Sequence, residues 1–470
     1  MRNIYPTIAT VLFALAIRML LPTSAYATPS IIPVSGNISI NTTWTNGNIY
    51  YVTGDTTVLS GVTLTIQPGV IVKLRPDCRL IIDGKLVAAG TASQPIYFTS
   101  YRDDSVGGDT DGGGSSSGAR GDWNWIQFNA ISDDASLIEH AIIRYGGGKT
   151  WRRGVYGNVY LRDASPTIRH STLVHSEGAG VYLESMLAAG SAAPVISNNL
   201  FSNNNSSIST DVTSRPALTS NTSSANGTNG LLVRGGTINS NTSWDQLDMV
   251  YRVAGDVTVA NGATLTVAPG MIVKFNPNVT LFVDGKLMAA GTASQPIYFT
   301  SYRDDSAGGD TNGDSSSGEK GDWNWIQFNA NSDDASLIEY AIIRYGGGDR
   351  WWRGVYGNVY LRDASPTIRH STLAHSEGAG VYAQNATPTL VCNDIMNNAT
   401  LGIHNASPST IINAVNQYWG SPSGPKHATL NPNGQGNGVS DGVTFVPWQT
   451  TPCGTPSSSL SRVFLPLVIR

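Results

Sequence analysis

Charge is scarce in this chain, and so are cysteine and histidine. Of its 470 residues 13% are Asp, Glu, Lys or Arg, with three Cys and seven His. An excess of basic charge is missing altogether. The 29 Lys and Arg stand against 33 Asp and Glu, which argues against a nucleic-acid partner. Helical periodicity is missing too: beyond the first residues the apolar runs are short, and 51 Gly and 23 Pro interrupt them. No later run is long enough to span a bilayer. What is plentiful excludes disorder, because Val, Ile, Leu and Tyr accompany the Gly, Ser, Thr and Asn.

The first residues read as a secretory leader. Arg2 is the positive start, Ile8 to Leu21 the apolar run, and "TSAYA" a small-residue cleavage site after Ala27. Residues 1–27 are therefore expected to be a signal peptide, and the mature chain to be secreted or held at the cell surface. Export permits disulfides. Cys392 and Cys453 are candidates to pair and pin the C-terminal end, although sequence does not give their separation. Cys78 aligns with Val279 of a second copy and reads as a small core residue. Residues 453–470 read as a Ser/Pro linker and an apolar tail, too short to cross a membrane.

An internal repeat of about 200 residues dominates the sequence. "GKLVAAGTASQPIYFTSYRDDS" at 84–105 returns at 285–306 with one change, and "GVYGNVYLRDASPTIRHSTL" returns from Gly154 at Gly354. Residues 28–235 are taken as the first copy, and 236–452 as the second with a closing segment. A finer rhythm lies within each copy. Pro166, Pro194 and Pro216, then Pro366, Pro388 and Pro408, mark steps of mostly about 20–22 residues. Short period-two strands fill the gaps between Gly, Pro and Asn bends. Three short strands per coil is the arithmetic of a parallel β-helix. Ile168, Val181, Leu390 and Ile403 are expected to point inward, and Asn397 and Asn398 to stack at turns. A β-sandwich is the alternative, disfavoured by the regular proline spacing. The Asn/Ser/Thr-rich residues 202–229 keep that spacing and read as continuing coils.

The coil pattern "SPTIRHSTLVHSEGAGVY" at 165–182, with "TPTLVCNDIMNNATLGIHN" at 387–405, resembles the repeat of the right-handed parallel β-helix proteins of the pectin-lyase-like superfamily, exported bacterial type. The segment 413–448 is similar to the closing segment of such proteins. The resemblance implies an all-β, right-handed parallel β-helix solenoid, its two tandem copies stacked as one rod. It does not fix an activity, because one fold hosts many functions.

Three sets of residues are candidates for function. The first is the acidic insertion, "RDDSVGGDTDGGGSSSG" at 102–118 and "RDDSAGGDTNGDSSSG" at 303–318. Asp310, Asn312 and Asp314 have the 1-3-5 oxygen spacing of calcium loops. Asp109 and Asp111 keep two of the three in the first copy, where Gly113 replaces the last. Asp103, Asp104, Asp304 and Asp305 are further candidates, and a solvated loop without metal is the bland reading. The second set is aromatic and basic: Trp125, Trp151 and Arg153 in the first copy, Trp325, Trp351, Trp352 and Arg353 in the second. Flat rings beside guanidinium groups stack on sugars and pair with uronate carboxylates. Packing beneath the loops as a satellite cluster is the other reading. Trp123 and Trp125, two apart, are expected to share a strand face opposite Ile126 and Phe128. The third set is Arg162, Asp163, Arg169, His170, His175 and Glu177, a possible acid–base group that also fits coil bends. The expected function is a non-enzymatic rod that binds polysaccharide or a cell-surface glycan, with calcium as the candidate stabilising ion. Two copies would raise avidity for a repeating ligand. A polysaccharide lyase or glycoside hydrolase acting on acidic polysaccharide is the alternative.

Overall fold

The structure is a computed structural model, and residues 29–148, 156–187, 190–349 and 354–454 are described. Every regular element among them is a β-strand. Thr63–Ile66, Ile71–Leu74 and Leu80–Ile82 form the three sides of one coil. Each stacks in parallel on its counterpart one coil later: Lys85–Ala89, Ile96–Ser100 and Ile126–Phe128. We call these sides the first, second and third faces, in chain order. The chain is a right-handed parallel β-helix.

Alternation along each short strand sends every second side chain inward, where coil stacking builds continuous apolar columns. One column runs Leu80, Ile126, Val159, Val181, Ile208 and Leu231, each the partner of the next. It continues without a break through Tyr251, Val273, Phe299, Ile343, Leu373 and Ile395. All twelve are buried. The Asn/Ser/Thr-rich stretch is part of the rod, with strands Ser206–Thr210, Ala217–Thr219 and Thr222–Ser224.

That column crosses from one copy to the other with a change of face. Leu231–Val233 belongs to the third face of the first copy. It pairs with Tyr251–Val253, whose counterpart in the first copy, Tyr50 to Val52, lies on the second face. The second copy is therefore turned by one face, a third of a turn, relative to the first.

Corners between faces use left-handed backbone. His140, His170, Asn198 and Ser220 hold this conformation in successive coils, where small or polar side chains are best tolerated. The residue after the bend links coil to coil, through the side-chain amides of Asn199 and Asn221 in the later coils. Ser171 N donates to Asn199 Oδ1 (2.9 Å), Asn199 N to Asn221 Oδ1 (3.2 Å), and Asn199 Nδ2 to the Ile168 carbonyl (2.9 Å). Asn398 does this in the second copy, while Asn397 supplies the left-handed bend before it. Corner backbone groups are thereby satisfied inside the rod. At the C-terminal end Trp419 is buried, Ile412–Asn413 pairs with Val443–Thr444, and Cys392 is bonded to Cys453 (Cα–Cα 5.5 Å). Cys78 lies in the core, as Val279 does.

Candidate functional site

Two insertions leave the rod at the corner between the second and third faces, in adjacent coils. The acidic one follows Ile96–Ser100 and Ile297–Ser301; the Gly-rich one follows Ala141–Arg144 and Ala341–Arg344. The feet of the acidic insertion are fastened by its own aspartates. Buried Asp304 accepts from Thr300 Oγ1 (2.5 Å) and Ser306 Oγ (2.7 Å) and pairs with Arg344 (2.7 Å). Asp322 accepts from Ser301 Oγ (2.6 Å) and Glu319 N (2.8 Å). Asp103 and Asp122 repeat these roles in the first copy. The insertions also pack on each other: a Cβ at Gly318 would lie 2.3 Å from the Tyr345 ring. Asp103 and Asp304 are thus stitches of the loop, removed from the metal candidates by their buried partners.

At the tip of the second loop, carboxylate oxygens of Asp305, Asp310 and Asp314 lie within 4.8 Å of one another. The sequence grouped Asp310 and Asp314 with Asp305 as a further candidate, and the fold brings these three together. Asn312 donates to Asp314 Oδ2 (2.7 Å), and its own Oδ1 is buried without a partner, as is Asp305 Oδ1. Burial, then the neighbouring charge of Asp310, pushes the Asp305 carboxyl up to about 6. Beneath the tip, buried Lys274 donates to the Gly309 carbonyl (2.7 Å) and Thr311 Oγ1 (3.2 Å); burial brings its ammonium down to about 8. In the first copy, Asp109 accepts from the backbone N–H groups of Asp111, Gly112 and Gly114, and Asp111 from that of Gly113. No triple of metal-binding side chains gathers there among the described residues.

The paired tryptophans do not share a face. The strand starts only at Ile126 or Ile326, so Trp123 and Trp125 sit on the corner, where alternation does not hold. Trp323 turns inward, stacks on Phe275 (4.4 Å, 13°) and donates to the Arg344 carbonyl. Trp125 and Trp325 lie on the outer side, yet are only 1% and 2% exposed. Each donates to Gln127 or Gln327 and meets Tyr156 or Tyr356 edge-on at 4.8 and 4.9 Å. They are packing residues and offer no open ring to a sugar, which corrects their placement among the sugar-binding candidates. Trp151, Arg153, Trp351, Trp352 and Arg353 lie outside the described residues.

Instead, the outer side of the third face carries a column of rings that the sequence reading missed. Gln327, Tyr360, Tyr382 and His404 are partners in successive coils. Tyr356 stacks on Tyr360 (4.5 Å), and His404 stacks on Tyr382 (4.7 Å, 28°). Tyr360 is buried beneath its neighbours, while Tyr356, Tyr382 and His404 are partly exposed. The first copy has Tyr156, Tyr160 and Tyr182, but Ser209 follows Tyr182, and the Arg234 guanidinium lies over the Tyr182 ring at 3.8 Å. The available signal was the coil period itself, since Tyr360, Tyr382 and His404 are spaced 22 residues apart.

Four of the six ionisable residues, Asp163, Arg169, His170 and His175, are engaged in the coils. Asp163 caps the backbone of Met186 and Leu187 (2.7 and 2.8 Å), and Arg169 pairs with Glu139 (2.8 Å). His170 stacks on His140 and His175 on Tyr145. Asp163, His170 and His175 all hold left-handed corner backbone.

Three-sided coils, inner columns and corner amides define a parallel β-helix. Residues 36–151 and 236–351 match the pectate-lyase like β-helix domain, and residues 127–246 match the right-handed β-helix region. The second match runs through the join of the two copies. The chain belongs to the pectin-lyase-like parallel β-helix proteins. No curated protein matches its sequence. Among solved structures it is similar to the A-module of the mannuronan C-5 epimerase AlgE4 of Azotobacter vinelandii, with 12% identity, 90% of this chain and 88% of that one covered, and a TM-score of 0.24. No helix among the described residues is long and apolar enough to cross a membrane.

Proposed function

We propose that this protein is a secreted or surface-held rod that binds polysaccharide without cleaving it. The ring column carries the reading. Tyr356, Tyr382 and His404 present partly exposed rings on one outer face, and coil stacking sets the rungs of the column at the ~4.8 Å strand spacing. Apolar ring faces with polar edges suit sugar rings, and a polymer laid along the rod meets similar chemistry at consecutive coils. Arg362, exposed on the same strand as Tyr360, is placed to meet a carboxylate of an acidic glycan. The engagement of Asp163, Arg169, His170 and His175 in corners and stacks supports a binding role over a catalytic one. The Cys392–Cys453 bond supports an oxidising compartment.

The proposal includes a calcium ion at the tip of the second acidic loop, held by Asp305, Asp310, Asp314 and Asn312. Hard oxygen donors of this kind suit calcium, and the crowding of three carboxylates, one with a buried, unpartnered oxygen, beside the buried, unpartnered Asn312 Oδ1 supports a cation there. Its role would be to hold the loop to the rod.

Gel retardation in polygalacturonate or alginate, with calcium and with chelator, tests the binding. Retardation is expected, with no unsaturated sugar released. Release of unsaturated sugar would establish the lyase instead, and reducing ends without unsaturation the hydrolase.

A further inference from the structure

We infer that the two copies bind two different polysaccharide chains, making the rod a cross-linker rather than a two-point grip on one chain. The inference rests on the glycan-binding reading and deepens it. Its observation is the change of face at the join.

The third-face strand Ile126–Phe128 is the ninth of the chain, and its counterpart Ile326–Phe328 the thirty-first. Twenty-two strands at three to a coil make seven and one-third turns. The two ring columns thus lie roughly 35 Å apart along the axis, at the ~4.8 Å coil spacing, and point a third of a turn apart.

The outer column itself shows why one straight polymer cannot occupy both. In the first copy it runs Tyr160, Tyr182 and Ser209. It continues through Leu232 and Arg252 to Lys274. Lys274 is fully buried because the second acidic insertion lies over it, held by the bond to the Gly309 carbonyl. A polymer following the first ring column therefore meets that insertion. The second ring column, Tyr360, Tyr382 and His404, lies on the next face, beyond the insertion corner.

The avidity expected from duplication needs both sites to face one ligand, and the join removes that geometry. Two sites turned apart instead let one rod hold two strands of a matrix.

The test uses the full chain with polygalacturonate and alginate, each as long polymer and as short oligomer. Calorimetry with the oligomer should give two sites per protein, and light scattering with the polymer should show a growing network. Tyr182→Ser and Tyr382→Ser each remove the partly exposed ring at the middle of one column. Serine is already accepted in this column at Ser209, so the fold should persist, which thermal unfolding checks. Either variant should halve the oligomer stoichiometry and abolish the network while still binding polymer. The inference is overturned if polymer complexes stay one-to-one, bind 10²–10⁴-fold tighter than oligomer, and lose that gain in either variant. Absence of binding to every probe would instead sink the glycan reading itself.

Discussion

The two acidic insertions are nearly identical in sequence, and what differs most is the surface beneath them. The first lies over the opening coil, where a Cβ at Gly107 would touch Ile49. The second lies over the join: Asn229 of the first copy donates to the Thr311 carbonyl (2.9 Å), and Asn221, Ser223 and Asp310 help line a groove of about 580 Å³. The same foot is better buried there. The Arg344–Asp304 pair is 9% and 2% exposed, against 19% and 2% for Arg144–Asp103. Duplication has therefore not made two equal sites. Position along the rod sets what each copy's residues experience.

The largest break in this comparison should come from the feet. Arg344→Ala leaves a buried carboxylate without its charge partner and should cost about 3–5 kcal/mol. Arg144→Ala should cost less, because water reaches that pair more readily. Urea unfolding of the two variants measures both, and equal losses would mean the extra cover has no energetic weight. Next comes calcium. At a hundred times its dissociation constant the ion should add about 2.7 kcal/mol to stability. Asp310→Ala with Asp314→Ala should remove that gain, and Asp109→Ala with Asp111→Ala should leave it. Melting with calcium and with chelator tells them apart, and loss of the gain in the first-copy pair would end the asymmetry.

A smaller effect follows from Asp305, whose carboxyl is raised from 3.8 to about 6. A raised acid binds its proton more tightly when folded. Its contribution is fully present below pH 4 and is lost as pH rises through 6. In chelator, stability should therefore sag across that window, and Asp305→Asn should flatten the sag. Calcium replaces the proton, so its stabilisation should be larger at pH 7 than at pH 5. An equal shift at both values would separate Asp305 from the ion.

Much of the rod was legible because its signals are local. Prolines and Gly-apolar pairs recur at the coil period, and Ile168, Val181, Leu390 and Ile403 are buried as the alternation required. The turn of one face was not legible. Insertions of different length sit between strands, so the spacing of the repeat in residues says nothing of its phase in coils. Trp125 misled because the alternation rule applies within strands, and this residue sits just before one. Pairing of Cys392 with Cys453 depended on a closing segment that returns to the last coils, a distance that sequence does not carry. Asp305 and Asp310 meet only because the tip curls back, whereas the ring column was written plainly in a 22-residue spacing.

The smallest predicted effect bears on that column and sharpens the comparison most. Arg234 covers the Tyr182 ring at 3.8 Å, and its guanidinium also donates to Ser209 Oγ (3.0 Å) and the Leu183 carbonyl (2.6 Å). The second copy has His404 stacked on Tyr382 instead, and no guanidinium among the described residues lies over that ring. A guanidinium on a ring face is worth about 0.5–1 kcal/mol at an exposed site; Arg234→Ala gives that up together with the two hydrogen bonds, and thermal unfolding reads the cost. The substitution should also uncover a ring that a sugar can use. Oligomer affinity at the first copy should rise while the second copy's stays fixed, so two unequal calorimetric sites should move closer together. If both affinities stay where they were, the capped Tyr182 is not where the first copy meets its ligand, and its site must be sought on another part of the column.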